Sequence, residues 1–148
     1  MNHINKKPRV GVGVMILKDS KVLLGKRHVD LEKAGSELHG EDSWTMPGGK
    51  VDFHEELRDA VSRETFEETE IKINKEKLQI ISVTSDMAQD VHFVTIGFFC
   101  KDFKGEPKVM EPDEITEWKW FDLNNLPTPI FPPSEKILKK YFEKQTNI

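Results

Sequence analysis

Gly48-Gly49-Lys50-Val51-Asp52-Phe53-His54-Glu55, seven further residues, then Arg63-Glu64-Thr65-Phe66-Glu67-Glu68-Thr69-Glu70-Ile71: the reading of the chain turns on this stretch. A glycine pair leads into a helix predicted over residues 55–69. On a 3.6-residue period Leu57, Ala60 and Val61 share a face with Glu64, Glu67 and Glu68. Three ionised carboxylates on a face that should meet the core are costly unless something cationic compensates them. An oxygen-only donor set of this kind suits Mg²⁺ or Mn²⁺. Side chains at i, i+3 and i+4 are neighbours on a helix, so the three acids can hold ions together. The absence of side chains at Gly48-Gly49 lets a main-chain carbonyl approach the same ion.

Outward from this centre the chain alternates between strands and helices. Val10 to Leu17, with Gly11 and Gly13 interleaved, reads as a buried strand, and Val22-Leu23-Leu24 returns as a second that ends at Gly25-Lys26-Arg27. His28 to Asp42 reads as a long flexible loop beside the site. Ser43 to Met46 predicts a short strand. Leu78–Val83 and Val91–Cys100 predict two longer ones, with a loop over 86–90, and Ile115–Phe121 another. A helical turn is expected at Asp122–Leu126, and Ser134 is expected to cap a terminal helix whose inner stripe is Ile137, Leu138, Tyr141 and Phe142. Strands on either side of one helix, with a second helix at the end, give an α/β/α sandwich around a mixed sheet.

The 148 residues fit one domain spanning 1–148, with 36% hydrophobic and 32% charged residues. A net charge of −4 argues against a general grip on a nucleic-acid backbone. A polyanionic ligand has to be met locally. The lone Cys100 excludes an intramolecular disulfide and reads as a buried strand residue. Lys6 and Lys7 are followed by no apolar stretch of signal-peptide type, and no apolar run is long enough to span a bilayer. The expectation is a soluble, cytoplasmic protein without membrane or nucleic-acid partners.

The spacing Gly, five residues, Glu, seven residues, Arg-Glu, then Glu-Glu and an aliphatic residue resembles the signature of the Nudix hydrolases. Gly49, Glu55, Arg63, Glu64, Glu67, Glu68 and Ile71 match it. Thr65 replaces a usual aliphatic residue, Glu70 a usual Gly, and His54 a frequent Gly; none of these departures removes a carboxylate. Glu70 stands where a left-handed residue normally follows the helix, which costs a non-Gly residue about 1 kcal/mol, and a modified helix exit is expected.

The resemblance implies a Nudix-type α/β/α sandwich and hydrolysis of a diphosphate-linked nucleotide with Mg²⁺, Mn²⁺ being an alternative ion. It implies Glu67 and Glu68 as metal ligands, Gly48 offering its carbonyl, and Glu64 as either a further ligand or the base for the attacking water. Arg63 and Glu55 would pair and support the acids, with Gly49 keeping the turn. An auxiliary carboxylate often comes from a downstream loop in that family. Glu111, Asp113, Glu114 and Glu117 are candidates here, with Glu114 preferred.

Arg27 and Lys50 are candidates for phosphate contacts, each equally explained as a solvent-facing residue. Trp44, Phe93, Phe131 and Trp120 offer rings for a base, with Trp44 and Phe131 preferred. His28, His39, His54 and His92 have no zinc-site spacing. A narrower likeness is carried by Pro8–Gly13, Leu23–Arg27, Arg63-Glu64-Thr65, Met110-Glu111-Pro112 and Glu117–Trp120. It points to the MutT-like subgroup that converts normal or oxidised nucleoside triphosphates to monophosphate and pyrophosphate. An ADP-ribose or dinucleotide (NADH-type) pyrophosphatase and a non-catalytic nucleotide-binding module are the competing readings. Homodimerisation is common in the family, and no residue here decides it.

Overall fold

The computed structural model describes residues 6–30, 38 and 40–146. Strand β1 (Arg9–Lys18) turns through Asp19 and Ser20, both at positive φ, into β2 (Lys21–Arg27). Short strands β3 (Trp44–Thr45) and β4 (Gly48–Lys50) precede helix α1 (Leu57–Thr69). Then come β5 (Lys72–Ile73), a 3₁₀ turn (Lys75–Lys77), β6 (Gln79–Ala88), β7 (Val91–Cys100), β8 (Phe103–Lys104), β9 (Ile115–Asp122) and helix α2 (Pro132–Thr146).

The main sheet runs β3-β2-β1-β7-β6, with β4 on β1 and β9 on β2. The β1–β7 pairing is parallel, from Arg9 opposite Phe93 to Ile16 opposite Cys100, and the other pairings are antiparallel. This is the mixed sheet expected of the sandwich. β5 and β8 form a separate ribbon.

The period-2 alternation of β1 sets the layers. Val12, Val14 and Ile16 join Leu23, Ala60, Val61, Ile71 and Phe98 in the core under α1. Met15 joins Val22, Leu24, Met46, Ile137 and Leu138 under α2. Trp118 and Trp120 pack against the α1 core. Cys100 is buried as expected, and burial pushes its thiol up to about 11, so it is not nucleophilic at neutral pH.

Several expectations are corrected. α1 begins at Leu57 rather than Glu55, with Glu56 extended at its cap. The predicted loop at 86–90 shrinks to a two-residue turn, because β6 continues through Ala88. Residues 122–126 form a hydrogen-bonded turn instead of a helical one; Asp122 accepts from the Asn124 N–H, and the Leu123 N–H donates to Ser20 O.

Helix α2 starts two residues before Ser134, at Pro132, whose missing N–H is no loss in a first turn. The Ser134 hydroxyl instead accepts from the Met46 N–H at 2.9 Å and meets the Thr45 hydroxyl at 3.2 Å, tying α2 to β3. Phe142 is 38% exposed and drops out of the inner stripe.

Glu70 does adopt the left-handed conformation that Gly would have taken, with φ 65° and its N–H on Phe66 O. Thr69 braces this exit. Its hydroxyl donates to Thr65 O at 2.7 Å and accepts from the Ile71 N–H at 3.0 Å. Among the described residues no helix is long and apolar enough to cross a membrane.

Candidate active site

Buried Thr65, Ala60 and Val61 fix the rotation of α1 on the sheet, and that rotation decides where its acids go. Thr65 thereby fills the inward position that an aliphatic residue was expected to hold. Glu68, one helical turn after Thr65 and Glu64, is 9% exposed and accepts the Gly48 N–H at 2.8 Å. Glu64 lies against Gly49: a Cβ at Gly49 would collide with the Glu64 carboxylate. The glycine therefore makes room for an acid side chain of α1. Glu67 points outward and is half exposed.

Arg63 organises the outer side of this group. Its Nε and one Nη donate to both oxygens of Glu55 at 2.8 and 3.0 Å, the bidentate geometry that makes such pairs strong. The other Nη donates to Glu64 at 3.0 Å and to Glu67 at 3.3 Å, while the Nη on Glu55 also donates to Lys50 O at 3.1 Å. Glu55 also accepts from the Asp52 N–H at 2.9 Å. The Arg63 hydrogen bonds hold the Glu55 carboxyl down at about 2, and Glu55 in turn raises Arg63. Glu55 thus closes the loop between β4 and α1 from outside the helix.

The inner acids behave in the opposite sense. Burial pushes Glu68 well above the usual carboxylate range, with Glu64, Glu111 and Glu114 adding repulsion against the pull of the Gly48 N–H. Burial also raises Glu64, which Arg63 only partly offsets. Glu111 rises through burial and the neighbouring Glu114 and Glu67. Glu111 and Glu114 sit in a turn before β9, where the N–H groups of Glu114 and Ile115 both donate to Glu111 O. The field from this turn reaches the α1 acids, so Glu111 joins Glu114 as a candidate auxiliary carboxylate. Asp113 and Glu117 are not among the neighbours that shift Glu64 or Glu68.

Hard, mutually repelling oxygen donors, partly buried and short of positive charge, fit a divalent cation. Among the described residues, however, no three such side chains already form a closed ligand cluster. Arg63 engages Glu64 and Glu67, while the Gly48 N–H engages Glu68.

A cavity of about 270 Å³ opens beside the acids. Its lining includes Gly48, Gly49, Lys50, Glu68 and Glu114 at one end, Gly11 and Gly13 of β1 along the floor, and Phe93, Thr95, Phe131 and Ile137 around it. Arg27 lines the cavity too, but it is buried and not a solvent-facing strand end. Its Nε donates to Gly40 O at 2.8 Å, and its guanidinium lies 4.4 Å from the Phe131 ring centre. Burial lowers its pKa, opposed by Glu114, Glu68 and Glu41.

Trp44 does not reach the cavity. At 9% exposure it packs edge-on against Phe121 in the α2 core. Trp120 stacks on Phe103. Of the four rings considered for a base, Phe93 and Phe131 are the two at the cavity.

Leu38 places part of the 28–42 connection on the cavity wall. Residues 31–37 and 39, including His39, lie outside the described residues, so the flexible-loop reading of that stretch does too. The ends of the connection are pinned, with the His28 N–H on Glu114 O and the Asp42 N–H on His28 O.

Sequence reasoning missed the glycine floor. The signal was present: in Val10-Gly11-Val12-Gly13-Val14 the glycines occupy every second position, and so one face.

Residues 7–141 match the family model described as NUDIX domain. An RNA pyrophosphohydrolase of Pelagibacter ubique is 33% identical over 141 residues, covering 84% of this chain and 83% of the relative. An ADP-ribose pyrophosphatase of Methanocaldococcus jannaschii is 35% identical over 134 residues, covering 90% of this chain and 73% of the relative. The crystal structure of a MutT NUDIX hydrolase from Burkholderia pseudomallei superposes with a TM-score of 0.80 at 34% identity, covering 90% of this chain and 98% of that one.

Proposed function

The chain belongs to the NUDIX family, and from that premise we propose that it is a Mg²⁺-dependent nucleoside triphosphate diphosphatase releasing monophosphate and pyrophosphate. The observation that carries this is the junction of two unlike surfaces. The buried Glu68 of α1, with Glu114 nearby, meets a cavity lined largely by glycine, aliphatic and aromatic residues. A flat, weakly polar group fits the cavity while a polyanion lies at its acidic mouth.

Glu64, Glu67 and Glu68, with the Gly48 carbonyl and Glu114 or Glu111, would hold the ion. When bound, a divalent ion neutralises phosphoryl charge and lowers the pKa of a bound water. Glu64, held against Gly49 and only partly neutralised by Arg63, is placed either to add a ligand or to accept a proton from the attacking water. Arg63, anchored on Glu55, fixes the orientation of Glu64 and Glu67. Lys50 and Arg27 flank the mouth as phosphate contacts. Arg27 is already tied to Gly40 O and Phe131, so its charge is directional.

A second reading has its own support in the relative named ADP-ribose pyrophosphatase. The same acids would cleave a diphosphate joining two groups. A triphosphorylated RNA 5′ end, in keeping with the relative named RNA pyrophosphohydrolase, presents the same anhydride. One product assay in Mg²⁺ separates them, using normal and oxidised nucleoside triphosphates, ADP-ribose, NADH and 5′-triphosphorylated RNA. Monophosphate plus pyrophosphate supports the proposal. AMP plus a sugar phosphate from ADP-ribose replaces it, and silence with tight nucleotide binding leaves a binding module.

A further inference from the structure

Gly40 stands behind the cavity wall, against two of the side chains that form it. It is buried and is not itself a lining residue, whereas Arg27 and Phe131 are. A Cβ at this position would collide with Cδ1 and Cε1 of the Phe131 ring and stand 3.0 Å from Arg27 Nε. Backbone conformation does not account for the glycine, because among the described glycines only Gly105 has a positive φ. What excludes a side chain at residue 40 is the ring.

Both partners of this contact are held by their backbones. The Phe131 N–H donates to Trp44 O at 2.8 Å, and Phe131 O accepts the Glu135 N–H at 3.0 Å in the first turn of α2. Gly40 O accepts the Arg27 Nε–H at 2.8 Å, the Ser43 hydroxyl, and the Ser43 N–H at 3.3 Å. The Arg27 N–H in turn donates to Ser43 O at 2.8 Å.

A methyl at residue 40 therefore cannot be absorbed by sliding either segment without breaking these bonds. The Phe131 ring has to turn, and the open space it adjoins is the cavity. Turning also disturbs its contact with the Arg27 guanidinium, which lies 4.4 Å from the ring centre. Overfilling a packed site forces side chains off their rotamers. Here the side chain forced to move would be one that walls the cavity.

We propose that Gly40 is a positioning residue for the nucleotide: by leaving room for the Phe131 ring it sets the width of the cavity at its Arg27–Phe131 wall, and so the affinity for the base. This rests on the nucleotide reading above and deepens it, from the acids that meet the phosphates to a residue that gauges the base.

The test is a double-mutant cycle on residues 40 and 131, read with the best used of ATP, GTP, CTP and UTP in Mg²⁺. Gly40→Ala is expected to lower kcat/KM about tenfold through KM, with kcat held within about twofold. Phe131→Leu removes the ring edge that the methyl meets. In that background Gly40→Ala should change kcat/KM by less than about twofold.

Unfolding midpoints are recorded for all variants. A lowered midpoint with unchanged kcat/KM in Gly40→Ala marks the glycine as packing alone and overturns the proposal. An equal loss in both backgrounds overturns it as well, since Gly40 then does not act through the ring. So does a loss carried by kcat with KM unchanged. Should none of these nucleotides be hydrolysed, the activity reading fails separately, and the same cycle is read by calorimetric binding of AMP and GMP without metal. A tenfold loss of affinity confined to the Phe131 background supports the inference. Equal affinities of the wild type and Gly40→Ala, or no binding by the wild type, overturn it.

Discussion

The two faces of β1 carry unequal amounts of side chain. Toward α1 the strand offers Val12, Val14 and Ile16, and the space is filled. Toward α2 it offers Gly11, Gly13 and Met15, and a cavity remains over the glycines. One strand thereby serves two purposes at adjacent residues. Its β-branched face holds the helix that carries the acids, and its bare face leaves room for what the acids act on. Stability and ligand binding should therefore separate by residue parity along β1.

The largest effect lies where the filled face meets the acids. Glu68→Gln keeps the shape and an acceptor for the Gly48 N–H but removes the charge. Turnover in Mg²⁺ is expected to fall at least about a hundredfold, corresponding to about 3 kcal/mol or more of lost charge stabilisation. The metal-free variant should unfold at the same or a higher denaturant concentration, because ionised Glu68 is strained by burial and by its acidic neighbours. Wild-type turnover would break the assignment of this face.

Next is the parity test itself. Val14→Ala should cost about 2 kcal/mol in denaturant unfolding and leave KM within about twofold. Gly13→Ala places a methyl 3.0 Å from Ile137 Cδ1 at the cavity floor, and KM should rise about tenfold with little loss of stability. The reverse pattern would sink the comparison.

A smaller effect is set by pH. An unfolded-state Glu55 titrates near 4.5, and the folded one near 2. The folded state thus gives up its clasp only as it is forced to take a proton. The contribution is fully present above about pH 4.5 and is lost as pH falls toward 2. Stability measured between pH 5 and 2.5 should decline more steeply in the wild type than in Glu55→Gln. Matching slopes would show that Arg63 holds its acids without this anchor.

The smallest change should be a gain. Glu70→Gly relieves a left-handed non-glycine residue and loses only the exposed Lys108 pair. The expected net gain is about 0.5–1 kcal/mol with activity unaltered.

The filled face was legible in the sequence because burial writes a period. The alternating apolar residues of β1 and the 3.6-residue stripe of α1 follow from packing alone. The acids on that stripe stand out because they violate it. The cavity was harder to see, since empty space leaves no side chain to read. Trp44 shows the limit: a large ring near a loop end serves core and ligand equally well until β3 is placed against Phe121. Arg27 shows another, because its partner Gly40 is a backbone carbonyl in a stretch with no period. Ser134 looked like a helix cap because caps are local, whereas its actual partner, the Met46 N–H, is distant in sequence.

The parallel pairing of β1 with β7 has a consequence in time. Residues 9–16 leave the ribosome well before 91–100, the strand that completes their central pairing. During synthesis β1 can form its hairpin with β2 and meet β4, but the middle of the sheet stays open until β7 has emerged. Such long-range closure slows folding relative to local contacts. It leaves the valine-rich edge of β1 dependent on prompt arrival of its partner, so pausing of the ribosome before residue 91 should be the condition under which this chain aggregates.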